Sequence, residues 1–158
     1  MRKTLISLAA LMAVGMMAAG CTGIIDEPGN YTDYVDMKIG TGGHGHVFVG
    51  ANVPLGMVQL GPTSIPQDWD WCSGYHDSDS TVIGFSHTHL SGTGIGDLFD
   101  ITVMPVVGDG LTYDRGQEDD QLSGLWSYAD RTRETARPGY YSVPLTRYGI
   151  TAELTATC

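Results

Sequence analysis

The sequence predicts an all-β protein built as an antiparallel β-sandwich. Three observations point there. Its 22 glycines interrupt every stretch that could coil into a helix, and an interior glycine costs a helix about 1 kcal/mol relative to alanine. Short β-type runs lie between the breaks. The chain closes on a hairpin pattern, two alternating runs around Tyr148-Gly149. Many short strands with frequent turn residues are the pattern of a sandwich.

The expected strands, in order, are residues 47–49, 57–60, 82–85 and 101–107, then 142–147 and 150–157 as the hairpin. The 101–107 run is the most apolar and is expected to be well buried. Pro105 within it calls for an edge position or a bulge, because proline has no N–H to give a ladder. Residues 108–123 are polar and acidic and read as a surface loop. Residues 130–138 are charged, have no apolar face and also read as a loop. One short helix is expected to start near Thr32-Asp33.

The first residues describe export. Arg2 and Lys3 precede a nearly unbroken apolar run, and Ala18, Ala19 and Gly20 lead into Cys21. That order is a secretory leader over residues 1–20, too short for a spanning helix, which needs about 20 apolar residues. Small residues running into a cysteine also match a lipoprotein signal, with Cys21 as the lipidated residue; Ala18 stands where leucine is usual. Contact with a membrane would then be through lipid chains only. The expected location is the periplasm or cell surface, as an outer-membrane lipoprotein. Residues 21–33 read as a linker and 34–158 as one domain. The second hairpin strand runs into Cys158 with no polar tail, so this domain is expected to be cut within its strand pattern and to belong to a longer chain.

Composition excludes some partners. The formal net charge is −10 and becomes about −12 without Arg2 and Lys3. With no basic cluster, such a surface repels phosphate backbones, and nucleic acid is not an expected partner. Beyond Cys21 only Cys72 and Cys158 remain; a disulfide between them is not expected, and no CxxC spacing points to zinc or redox work.

Four motifs could carry chemistry: Gly40-Thr41-Gly42-Gly43-His44-Gly45-His46, Asp68-Trp69-Asp70-Trp71-Cys72-Ser73-Gly74-Tyr75-His76, Ser86-His87-Thr88-His89-Leu90-Ser91-Gly92, and the glycine-rich run from Gly92 to Asp97. On a strand, His-x-His would turn both rings to one face and, with Asp97, could ligate Zn²⁺ or Fe²⁺. The flanking Gly and Ser favour loops instead, with the imidazoles lining a wet pocket or satisfying backbone. Neither glycine run has a phosphate-loop pattern, since no Lys-Ser/Thr follows; tight turns are the better reading. Trp69, Trp71 and Tyr75 crowd a polar segment. Indole and phenol planes pack on the C–H faces of sugars while nearby Asp, His and Ser meet the hydroxyls; alternatively one Trp packs in the core. Glycoside hydrolysis needs two carboxyl groups, and spacing alone selects no pair among Asp68, Asp70, Asp77, Asp79, Asp97 and Asp100. N-caps and turns account for most of these.

The wording of the motifs adds more. Tyr34-Val35-Asp36, then Ile39 through His46, Val53-Pro54-Leu55-Gly56-Met57-Val58-Gln59-Leu60, Asp70 through His76, Ile83 through Gly94, Pro138-Gly139-Tyr140-Tyr141-Ser142-Val143 and Tyr148 through Thr155 stand in an order that resembles the N-terminal domain of glycoside hydrolase family 92. The resemblance covers about residues 34–157. It implies exo-acting, Ca²⁺-dependent, inverting α-mannosidases with an N-terminal β-sandwich and a larger C-terminal (α/α)6 domain. It places the catalytic acid and base, and most Ca²⁺ ligands, in that C-terminal domain, so no catalytic residue and no metal ligand is named in this chain. It implies that loops of this chain line the pocket for a mannose-containing glycan (terminal α-linked mannose of N-glycans or mannans). The residues expected there are Trp71, Cys72, His76, His87 and His89, with His44, His46 and Trp69. Two other functions stay open at this point: a non-catalytic carbohydrate-binding module and a His-rich metalloenzyme. A sandwich built to pack on a large partner is further expected to show an apolar patch.

Overall fold

A computed structural model describes residues 29–96, 98–109, 111 and 124–157. The expected leader, Cys21 with its expected lipid, most of the expected linker, Asp97, Gly110, residues 112–123 and Cys158 lie outside the described residues. The chain divides into two compact units, Met1–Asp33 and Tyr34–Cys158. A 3-10 turn at Tyr31–Tyr34 stands where a short helix was expected.

Alternation is cleanest in the closing hairpin. β6 (Tyr140–Leu145) buries Tyr141, Val143 and Leu145, and β7 (Ile150–Thr155) buries Ala152 and Leu154. Strand side chains alternate faces, so the register Tyr141↔Leu154 and Val143↔Ala152 sets all of these on one inner face. β5 (Thr135–Arg137) adds antiparallel to the other edge of β6. This corrects the loop expected over 130–138. Charge marked the segment as polar, but the free edge of β6 supplies its backbone partners and only Ala136 needs to turn inward.

The remaining strands are short. β1 (Gly61–Thr63) pairs antiparallel with β3 (Gly84–Ser86), and β2 (Thr81–Val82) with β4 (Ser127–Tyr128). Single bridges join Ala51 to Leu60, Phe85 to Val103 and Ala129 to Leu145. The inner faces meet in one cluster that includes Phe48, Val49, Tyr75, Val82, Phe85, Tyr141, Val143 and Leu145. Fully burying each large apolar side chain stabilises by about 1.5–3 kcal/mol. The result is the expected all-β antiparallel sandwich, and the described residues contain no α-helix. None of their helices is long and apolar enough to cross a membrane.

Two expected strands are buried or bridged without a ladder: 47–49 packs in the core as coil, and 57–60 joins through the Leu60 bridge to Ala51 and the Gln59 N–H bond to the His87 carbonyl. The larger correction concerns 101–107. Only Val103 exchanges backbone hydrogen bonds with Phe85 (2.9 and 3.0 Å). Ile101 and Val103 are 75% and 55% exposed. Left-handed backbone at Leu98, Phe99 and Ile101 (φ 69, 54 and 52°) prevents an extended approach, and Pro105 offers no donor beyond it. The apolar run therefore lies along the outer edge of β3. Its Ile101, Val103 and Val107 are among the exposed apolar side chains, as are Leu55 and Met57.

Candidate functional site

The segment after β1 turns back on itself through the Ser64 N–H bond to the Gly74 carbonyl (2.6 Å). Within it, the Asp68 carboxylate caps a 3-10 turn at Trp69–Trp71 by accepting from the Asp70 N–H (3.0 Å). A turn this tight splays successive side chains, so Trp69 leaves 59% of its surface in solvent while Trp71 stays half-buried.

Trp69 gathers three motifs. Its indole N–H donates to the Gly94 carbonyl (2.7 Å). His46 meets its ring edge-on at 4.2 Å and His44 lies at 5.7 Å. Asp70 Oδ1 accepts from His44 Nδ1 (2.6 Å) and His46 Nε2 (3.3 Å). Gly94 must be glycine: it sits at φ +65°, and a Cβ there would stand 3.3 Å from the Trp69 ring. The hydrogen bond to Asp70 raises the His44 pKa above the ordinary histidine value, and the same contact with His44 lowers that of Asp70. His44 is 77% exposed and Asp70 20% exposed, so this is one pairing seen from two sides and largely screened by solvent.

Trp71 faces the interior side of the same turn. Its N–H donates to Asp79 Oδ2 (2.7 Å), and its ring stacks on His76 at 4.3 Å. The Ser78 N–H points at His76 Nδ1 (3.3 Å), so His76 carries its proton on Nε2 and donates to the Gly43 carbonyl (3.2 Å). Cys72 is buried with a free thiol, and burial pushes that thiol's pKa up. Trp69, Trp71, Cys72, Thr63, Gly74 and Phe99 line a cleft of about 200 Å³. Gly74, at φ +82°, lets this loop pass: a Cβ would come within 2.6 Å of Phe99 Cε1 and 3.2 Å of His89 Cδ2.

His44, His46, Trp69, Trp71, Cys72 and His76 are thus brought together; His89 lies buried behind the cleft wall, against Thr63 and Phe99, and His87 lies apart. His89 is 1% exposed. It donates from Nδ1 to the Gln59 carbonyl (2.8 Å), accepts at Nε2 from Thr63 Oγ1 (3.3 Å) and stacks on Phe48 at 4.6 Å. Burial pulls its pKa down, so the ring is neutral. His87 turns elsewhere and donates to the Ile101 carbonyl (2.6 Å). There it borders a separate cleft of about 430 Å³ with Leu60, Phe85, Val103, Pro105 and Leu154. Among the described residues, no group of three or more His, Cys, Asp or Glu is placed to hold a metal ion.

Sequence reasoning gave Asp79 no positioning role and missed Glu134. The Glu134 side chain is fully enclosed. It pairs with Arg131 Nη1 (2.6 Å) and Lys38 Nζ (2.8 Å). It also accepts from the Tyr141 hydroxyl (2.6 Å) and the Tyr75 hydroxyl (3.2 Å). Burial pushes its carboxyl up, but Arg131 and Lys38 hold it below the usual value. Arg131 lies 4.5 Å over the Tyr75 ring and donates from Nε to the Asp79 carbonyl (3.1 Å). Local partners, Thr81 for Asp79 and Arg131 for Glu134, are ordinary turn contacts; Trp71, Lys38 and Tyr75, which give the two carboxylates their positioning roles, lie farther along the chain.

Comparison with known proteins defines first a class. A curated protein of Arthroderma benhamiae, described as an uncharacterized secreted glycosidase, is 35% identical over 136 residues, 82% of this chain and 16% of its own length. The described sandwich also superposes on a family 92 α-mannosidase from Bacteroides thetaiotaomicron with a TM-score of 0.74 and 41% identity, over 80% of this chain and 17% of that one. The same enzyme has been solved with mannoimidazole, with equal TM-score and identity. More particularly, the sequence model of the glycosyl hydrolase family 92 N-terminal domain matches residues 34–158, and the chain belongs to that family. It spans about one sixth of the length of these relatives.

Proposed function

We propose that this chain is the N-terminal part of an exported, inverting α-mannosidase acting on terminal α-linked mannose of N-glycans or mannans, to whose mannose pocket it contributes loops. The observation that carries the reading is the rim of Trp69, His44, His46 and Asp70 beside the cleft lined by Trp69, Trp71 and Cys72. An exposed indole offers a plane to the C–H face of a pyranose, and the imidazoles and carboxylate meet its hydroxyls. The likeness to a solved α-mannosidase supports the substrate class.

An inverting hydrolase needs a carboxylate base to activate water and a carboxylic acid to protonate the leaving oxygen. In this reading both come from a C-terminal (α/α)6 domain, and the chain presented here binds and orients the sugar. Ca²⁺ takes six to eight oxygen ligands. Among the described residues no group of three or more His, Cys, Asp or Glu is placed for it, and most of its ligands would come from the C-terminal domain. Export with a lipid on Cys21 completes the proposal; the description of the fungal relative as secreted supports the export half.

The test is hydrolysis of an aryl α-mannoside by the full-length gene product, with the first-formed anomer read by proton NMR. β-Mannose first is expected. Trp69→Ala is expected to raise KM by about tenfold, the loss of one ring-stacking contact. Absence of any α-mannosidase activity overturns the reading, and tight mannoside binding without turnover favours a carbohydrate-binding module instead. Metabolic labelling with palmitate, abolished in Cys21→Ser, checks the anchor.

A further inference from the structure

Trp71 is held on two sides before any ligand arrives. His76 stacks on one face of the indole at 4.3 Å with planes 20° apart. Asp79 takes the ring N–H at 2.7 Å. What remains of the ring is turned to the cleft it shares with Trp69 and Cys72.

Asp79 is unusual among the acidic residues of this region. It is only 6% exposed, yet no cationic side chain pairs with it among the described ion pairs. Four neutral donors satisfy it instead. The Thr81 N–H reaches Oδ1 (2.7 Å), and Trp71 Nε1 (2.7 Å), Thr81 Oγ1 (3.0 Å) and Gln67 Nε2 (3.1 Å) reach Oδ2. A turn alone does not require this. An asparagine would cap Thr81 equally well, but it brings one acceptor oxygen and two donors of its own. Only an acceptor-only group can take all four. The Asp79 backbone is tied in turn to the buried network, because Arg131 donates to its carbonyl while pairing with Glu134 at 2.6 Å.

We propose that Asp79 is a positioning residue of the sugar cleft: by accepting the Trp71 indole N–H it fixes the plane of that wall and transmits to it the rigidity of the Arg131–Glu134 network. The inference rests on the mannosidase reading for its ligand but not for its geometry. A preformed wall gives a pyranose ring a surface whose ordering needs no further loss of freedom on binding.

The test uses the full-length enzyme and an aryl α-mannoside. Asp79→Asn is expected to raise KM about tenfold with kcat within about threefold, short of the roughly 100-fold that an ångström-scale misplacement of reacting groups can cost. In a Trp71→Phe background, where no N–H exists to hold, Asp79→Asn is expected to add no further rise in KM. An undiminished effect there would mean that Asp79 only caps its turn, and overturns the proposal. Asp79→Glu keeps the charge and moves the oxygens; if Asp79→Asn does not fold, an unchanged KM in Asp79→Glu overturns it equally. The geometry is read separately by fluorine NMR of enzyme labelled with 5-fluorotryptophan, the Trp71 resonance being assigned by its loss in Trp71→Phe. That resonance is expected to shift in Asp79→Asn, and no shift there overturns the positioning role. A wild-type enzyme without mannosidase activity but with the expected fluorine shift overturns the substrate reading alone.

Discussion

Glu134 and Asp70 are carboxylates with similar duties in different surroundings. Each draws together several side chains, some of them far apart in sequence: Glu134 joins Lys38, Arg131, Tyr75 and Tyr141, and Asp70 joins His44 and His46. Glu134 does so with its side chain fully enclosed, whereas the His44 partner of Asp70 is 77% exposed. In a low-dielectric interior each contact is strong and each missing partner is expensive; at the surface water competes for both. The first arrangement specifies the fold, and the second is free to respond to pH, salt and ligand.

The comparison breaks most visibly at Glu134. Glu134→Gln keeps the shape but leaves Arg131 and Lys38 uncompensated. Stability measured by urea denaturation is expected to fall by about 3–5 kcal/mol, the usual cost of breaking a buried pair. Tyr141→Phe removes one donor and leaves part of the carboxylate unmet, with an expected loss of about 1–3 kcal/mol. A loss below about 0.5 kcal/mol in either variant would show that the hub is not what holds the sheet to the loops.

His89 gives the intermediate case. Its folded pKa lies below the unfolded 6.5 because burial disfavours the charged ring. The unfolded chain therefore binds the extra proton first. The stability contributed by neutral His89 is complete above about pH 6.5 and declines as pH falls through the folded value. His89→Gln is expected to flatten this acid slope in a denaturation series, even though it lowers stability overall.

Asp70→Asn should give the smallest effect on stability, because solvent screens the pairing. Its signature is in titration instead. The His44–Asp70 contribution is present below the ordinary histidine value and is lost as pH rises through the raised folded pKa of His44. In Asp70→Asn the His44 NMR titration is expected to move down toward 6.5, and high salt should do the same in part to the wild-type chain.

These contrasts also explain what could be read from sequence. The closing hairpin was legible because Tyr141, Val143 and Leu145 alternate with polar neighbours and Tyr148-Gly149 supplies the turn. β5 was not, since Thr135 and Arg137 take their strand geometry from the edge of β6 rather than from any pattern of their own. The 101–107 run misled because hydropathy reports what a segment prefers, while left-handed residues just before it decided where it could lie. At the site, the aromatic and histidine types pointed to the right loops. Spacing could not reveal that His44 and His46 converge on Asp70, or that His87 and His89 diverge, because those outcomes depend on loop geometry. Glu134 and Asp79 were invisible for the same reason.

Cys72 adds a practical consequence. Its thiol is buried against the cleft and burial disfavours the thiolate, and thiolate is the form that alkylating reagents attack. Labelling is therefore expected to be slow and to be limited by local opening of the segment around Cys72. The rate at which Cys72 gains mass under excess iodoacetamide thus becomes a clock for that opening. A sugar lodged between Trp69 and Trp71 would slow the clock, reporting occupancy in a protein that need not turn over any substrate.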